Sequence, residues 1–315
     1  MLMKIKYMTL FVLAFAVGAC SEDESLPDRS RLVTVQVTGD IDNSSLDAAN
    51  REWAADDSIG ISALGKSSES IMAPLYKNAK YLVASGKSTV TFVAAAKHAV
   101  FFQDATEQVV FSAYCPYQSS AAASSRPGTA GVITGVTTSD QSKQQSFDYL
   151  FATGAISTNS NPVVNFVGEN AFKHMMTQLN LIMNLAEESG FTVDDLKNAA
   201  YRLTGLKHSG TFDITTGTAV ATGSATVDWR IASEYDGTSG HEHSSCSLIL
   251  YPQDLSNGLT LIAEIGGQTF STVIKTTLTA TTVHTYTVSM SKKGLTVSST
   301  IAPWGNGTDK EVDAT

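Results

Sequence analysis

The sequence predicts an all-β protein built from sandwiches, and three observations carry that prediction. Short runs alternate apolar and polar side chains, clusters of Gly, Ser, Thr and Asn separate the runs at close spacing, and only one stretch has a helical signature. Period-two alternation buries one face of a strand, whereas a βαβ chain would need helical runs between its strands. The 315 residues are 43% hydrophobic, enough to bury a core, and only 16% charged, with a formal net charge of −9. That balance excludes a basic footprint for nucleic acid. The three cysteines, at positions 20, 115 and 246, form neither a disulfide framework nor a paired metal-ligand spacing.

Residues 1–19 read as an export signal: Lys4 and Lys6 precede a short apolar run from Met8 to Val17, too short to span a bilayer. Val17-Gly18-Ala19-Cys20 resembles a bacterial lipobox, which implies lipidation of Cys20 and removal of residues 1–19. Residues 20–31 begin Cys-Ser-Glu-Asp-Glu and hold few apolar side chains, so they read as an extended acidic tether. The acidic run also resembles the surface-export signal of Bacteroidetes lipoproteins, which implies an outer-membrane lipoprotein facing outwards.

From Leu32 the strands follow in order. LVTVQV (32–37) sets Val33, Val35 and Val37 on one face, and Ser58 to Ser62, STVTFVAA (88–95) and QVVFSAYCPY (108–117) continue the pattern. Gln118 to Gln145 is rich in Ser, Ala, Gly, Thr and Gln and reads as a loop. Further runs lie at 162–167, 178–185, 226–232, 246–252, 259–267, 268–274 and 284–290. The helical stretch starts after Thr192: VDDLKNAAYRL has acids in its first turn and Leu196, Ala199, Ala200 and Leu203 at helical spacing. The expected organisation is one sandwich over 32–158, a second over 162–304 with the helix inserted, and a polar tail over 305–315.

Signatures of chemistry are missing. There is no GxSxG, HExxH or Walker-type loop. His241-Glu242-His243 with Cys246 has suitable ligand types but no second pair in a Gly/Ser loop, so no metal and no cofactor is expected. Asp56 and Asp57 are neighbours before a strand and point to opposite faces, which suits turn capping better than acid/base work. Cys115 and Cys246 fall in separate domains and read as buried free thiols; Trp53, Trp229 and Trp304 adjoin strands and read as core or rim residues. The chain is expected not to be an enzyme.

Several local patterns occur in one order: Trp53-Ala-Ala-Asp56-Asp57-Ser-Ile59-Gly60, Ala113-Tyr-Cys-Pro-Tyr117, FDYLFA (147–152), FKHMMTQLNLIMNL (172–185) and YTVSMSKKGLTVSSTIAPWGNG (286–307). Together with the lipobox they resemble the Bacteroidetes fimbrillin family over nearly the whole chain after the signal. The resemblance implies two transthyretin-like β-sandwiches, a lipidated precursor anchored in the outer membrane, and assembly with other pilus subunits by protease-triggered strand exchange, with adhesion to a host protein or glycan as the outcome.

Carried over to this chain, LVTVQV would be the removable first strand. Arg51 would be the cut site, with Arg31 and Arg29 as alternatives that remove only the tether. Donation departs from the family pattern, because the tail GNGTDKEVDAT offers only Val312 as a large apolar residue; TVSSTI (296–301) is the other candidate donor. Asp57-Ser58-Ile59 resembles a short bacterial O-glycosylation pattern, at Ser58. The alternative to a pilus subunit is a monomeric surface lipoprotein that binds glycan through loops 118–145 or 233–245, with Tyr235 as a contact.

Overall fold

The computed structural model describes residues 33–42, 51–65, 76–102, 108–119 and 131–304. The signal, Cys20, the tether with Arg29 and Arg31, and the tail with Val312 lie outside the described residues. All that is described belongs to one unit that starts at Val33. It is nearly all β, as expected.

The first lobe is a single eight-stranded sheet. Its strands are β1 (Gln36–Gly39), β2 (Ser58–Gly65), β3 (Tyr76–Gly86), β4 (Val90–Ala94) and β5 (Gln108–Cys115). The chain then makes β6 (Val132–Thr134), which belongs elsewhere, before β7 (Leu150–Thr158), β8 (Val163–Phe166) and β9 (Lys173–His174). The order across the sheet is β8-β1-β4-β3-β2-β5-β7-β9, and β7 returns against β8, so the sheet folds over its own core. Alternation decides which side chains enter that core: Val90 and Phe92 are buried while Thr91 and Val93 face out. The core also takes Val35, Val37, Ile59, Ile61, Phe111 and Phe166.

The second lobe follows with β10 (Thr177–Leu185), α1 (Val193–Lys197), β11 (Ala200–Thr204), β12 (Ser209–Asp213), β13 (Thr218–Thr222), β14 (Trp229–Ile231) and β15 (Glu234–Asp236). It ends with β16 (His243–Leu250), β17 (Gln253–Ile265), β18 (Gln268–Leu278), β19 (Thr282–Ser291) and β20 (Gly294–Pro303). A five-stranded sheet β15-β16-β10-β19-β20 packs on a four-stranded sheet β14-β11-β17-β18 around Leu179, Leu181, Leu203, Leu261 and Val288. A three-stranded sheet β13-β12-β6 contributes Phe212 to a third core, where Tyr149, Met176, Tyr251 and Trp304 meet; Tyr149 stacks on Phe212 with centroids 4.6 Å apart.

Three expectations are corrected. The division at 158/162 falls too early, because β8 pairs with β1 and β9 with β7, so the first sheet extends to His174. The reason lies in pairing over distance: PVVNFV has an apolar face that either lobe could bury. The stretch 118–145 is not all loop. Val132–Thr134 pairs with β12, and Gln141–Ser146 forms a 3-10 turn capped by the Asp140 carboxylate, while residues 120–130 lie outside the described set. The helix is shorter than expected. Thr192 and Asp195 form a reciprocal capping box, but the helix ends at Lys197, and Tyr201 and Leu203 alternate as strand between β14 and β17. Ladder bonds on both sides of β11 override a modest helical propensity.

Candidate functional site

Two features of the first lobe converge: the slot that holds the first strand, and a buried ionic cluster beside it. The chain from Val33 to Asp42 runs through the interior of the sheet. Val37 lies opposite Phe92 in antiparallel β4, and opposite Val164 in parallel β8. Pairing continues beyond β1, with Val35 N–H donating to the Val100 carbonyl at 3.0 Å, Asp40 N–H to Phe166 at 2.9 Å and Asp42 N–H to Phe172 at 2.8 Å. Val35 and Val37 are buried, and Gly39 lies beneath Phe172, where a Cβ would stand 2.9 Å from the ring. The slot is therefore bonded along both walls and filled with apolar side chains.

The residues after the slot lock onto the lobe. Trp53 inserts edge-on between Phe92 and Phe172, each centroid 5.1 Å away. Arg51, 6% exposed, donates from Nη1 to the Asp148 carbonyl at 2.8 Å, and from Nη2 to Asp57 Oδ1 at 3.0 Å and Cys115 Sγ at 3.3 Å. Asp57 Oδ2 accepts from Ala54 N–H at 2.9 Å, so this carboxylate closes its turn as expected and also holds Arg51. His174 Nδ1 donates to Asp148 Oδ1 at 2.8 Å, because an ionised carboxylate only accepts. The His174 ring stacks on Trp304 at 4.1 Å, tying the cluster to the end of β20.

Charge balance sets the protonation states. Burial opposes ionisation of Asp148, but His174 and Arg51 outweigh it and hold the carboxyl below its usual range. For Arg51 burial again opposes the charge, and Cys115, Asp148 and Asp57 more than offset it. Cys115, Asp148 and His174 supply the residue types of a nucleophilic triad, but not its wiring. Burial pushes the Cys115 thiol up to about 12, and its sulfur contacts Arg51. What this arrangement can do is anchor the segment 51–57 and the third core to one another.

The other sequence-level candidates lie apart from this cluster. Ser58 opens β2, half-buried, with its carbonyl accepting from Tyr117 N–H at 2.8 Å. His243 Nδ1 donates to the His241 carbonyl at 2.9 Å, and Glu242 accepts from Gly240 N–H. Cys115 and Cys246 are free, in β5 and β16. Tyr235, expected as a glycan contact in the alternative reading, is half-buried in β15 and packs against the second core. Arg51, expected as the cut site, is buried within the cluster. The signal that could have placed it was its spacing from Asp57 and the lone Asp148 inside an apolar run.

A model of the family described as fimbrillin-like matches residues 47–304. The chain belongs to the fimbrillin-like family. A curated relative, the candidate fimbrium subunit Fim1C of Bacteroides uniformis, is 27% identical over 305 residues, spanning 91% of each chain. Two solved structures share the fold. A candidate cell adhesion protein from Bacteroides uniformis has a TM-score of 0.64 at 24% identity, covering 87% of this chain and 99% of that one. Another, from Bacteroides ovatus, has a TM-score of 0.65 at 23% identity, covering 89% and 99%. Within this fimbrillin-like chain, the motif residues Trp53, Asp57, Asp148, His174 and Trp304 are the ones that converge around the slot and its cluster.

Proposed function

We propose that this chain is a pilus subunit of the bacterial surface, exported as an outer-membrane lipoprotein through Cys20 and assembled with other subunits by strand addition, in support of adhesion. The observation that carries the reading is the place of residues 33–42: an amphipathic segment near the amino terminus fills an interior position of the sheet, paired on both sides. Taking it out would leave two facing edges and a row of empty apolar pockets, which is what β-augmentation by a strand of another subunit requires.

Among the three arginines, only a cut after Arg51 would separate this strand from the body; cuts at Arg31 or Arg29 sever the tether alone. Because Arg51 is held by Asp57 and Asp148, the cut waits on opening of the cluster. On the donor side, β20 lies at the edge of its sheet, yet Leu295 and Val297 pack on the second core and Trp304 is buried, so its release would cost packing at both ends.

The test is complementation in trans. A chain starting at Glu52 is mixed with a peptide of residues 33–42, and binding is read by native mass spectrometry and by the rise in melting temperature. The peptide should bind and stabilise, while a copy with Val35→Asp and Val37→Asp should do neither. If neither peptide binds a folded Glu52 chain, or both bind alike, strand addition at this slot is wrong.

A further inference from the structure

We infer that the outer face of the five-stranded sheet in the second lobe is a binding groove for a neutral oligosaccharide. A cavity of about 990 Å³ lies on this face, and a second, of about 450 Å³, adjoins it through the shared residues Ile182 and His243. The larger is of the size that takes small ligands.

Register determines the floor. Leu179, Leu181 and Met183 of β10 point into the core, so Asn180, Ile182 and Asn184 point out. Asn180 lies opposite Ser247 on one side and Thr285 on the other, and Thr285 lies opposite Thr300. The central row of the floor is thus amide and hydroxyl, with no charge. Asn180 to Asn184 spans about 13 Å of strand, so the floor is longer than one sugar ring.

The walls are fixed in place. Gln141 grips the backbone of Ile249 in both directions, Nε2 donating to its carbonyl at 3.0 Å and Oε1 accepting from its N–H at 2.9 Å, and Gln144 donates to the Ser247 carbonyl at 2.8 Å. Trp229 lines the groove next to this turn, half-exposed, its indole N–H held by the Ser139 carbonyl at 3.1 Å and its ring braced by His208 at 4.4 Å. The charged side chains that line the groove, Asp140, Arg230 and Glu234, are of both signs and outside that central row.

The chemistry of this surface selects its ligand. A sugar hydroxyl both donates and accepts, as do amides and hydroxyls in a row, and the C–H face of a pyranose packs on an indole. A sialylated or sulfated chain would want a cluster of cations, which the floor lacks. A protein partner would want a wide apolar patch, and among the described outward-facing residues of β10, β16, β19 and β20 that line the larger cavity, Ile182 is the one large apolar side chain. The groove is separate from the first-lobe slot, but it needs β20 in its sheet, because Thr300 lines it.

The experiment is calorimetric titration of the folded chain with neutral tetrasaccharides of gluco, manno, galacto and N-acetylhexosamine type, alongside sialylated and sulfated chains of similar length. At least one neutral tetrasaccharide should bind. The near-isosteric pair Thr285→Val/Thr300→Val, which should keep the fold, should weaken it about tenfold, the worth of one or two lost hydrogen bonds. Trp229→Ala should weaken it as well. The inference falls if none of the neutral chains binds at millimolar concentration, if the anionic chains bind better, or if the Thr pair leaves affinity unchanged. Complementation of the Glu52 chain by the 33–42 peptide should be the same in the Thr pair as in the parent.

Discussion

Replacing Asp148 by Ala tests the ionic cluster most directly. The carboxylate is 3% exposed, accepts from His174 at 2.8 Å and lies 3.6 Å from Arg51 Nη1. Removing it leaves Arg51 buried with Asp57 as its remaining carboxylate and the Asp148 carbonyl as a neutral acceptor. Breaking a buried pair from one side costs about 3–5 kcal/mol, because the other charge stays desolvated. Since Asp57 still offsets part of that charge, the lower end, about 3 kcal/mol, is expected. Urea unfolding of the full chain measures it, and limited trypsin digestion followed by mass spectrometry reads its consequence: the parent should resist cutting after Arg51, and Asp148→Ala should be cut there much faster. An apolar replacement of both partners, Arg51→Met with Asp148→Leu, should recover much of the loss. A loss below about 1 kcal/mol, or ready cutting of the parent at Arg51, would refute the reasoning.

Two further outcomes follow from local features. Burial pushes His284 down to about 4, with Nδ1 unpartnered among the described residues and Nε2 beside Thr282 Oγ1 at 2.9 Å. The unfolded chain therefore binds the extra proton between about pH 4 and 6.5, so stability is full above 6.5 and falls by up to about 3 kcal/mol as pH drops to 4. His284→Phe should flatten that slope in denaturation curves taken across the range, and an unchanged slope would clear His284 of the effect. Thr192→Ala removes one half of the capping box of α1 and should cost about 1 kcal/mol by chemical denaturation, whereas a loss above about 3 kcal/mol would mean the helix carries more than its own cap.

Much of the fold was legible because period two is a strong signal wherever one face is buried. The runs at 88–95, 178–185 and 284–290 all fall on strands of the structure. What escaped was pairing across distance. Nothing in PVVNFV says that its neighbour is β1 and not a strand of the second lobe, since register and partner come from packing. Leu203 sat at helical spacing from Leu196 and at strand spacing from Tyr201, and only the tertiary neighbours decide between them. The cluster was half legible: Trp53, Asp57, Asp148, His174 and Trp304 stood in the quoted motifs, but their meeting with Arg51 required the fold. The groove was invisible, because a row of Asn, Ser and Thr reads as an ordinary solvated face until the turn 141–146 and Trp229 wall it in.

The parallel pairs set an order on folding. Gln36 must wait for Val163 before β1 has both neighbours, and Thr177 must wait for Thr282 before β10 does. Contacts so far apart in the chain close slowly, since loop entropy is spent before they form. The strand made first is thus completed late, and the leading end of the lobe lacks its second neighbour until most of the first lobe has formed. Late closure makes a demand on the sequence: a leading strand that tolerates a long wait without a partner, which the threonine and glutamine between its three valines allow.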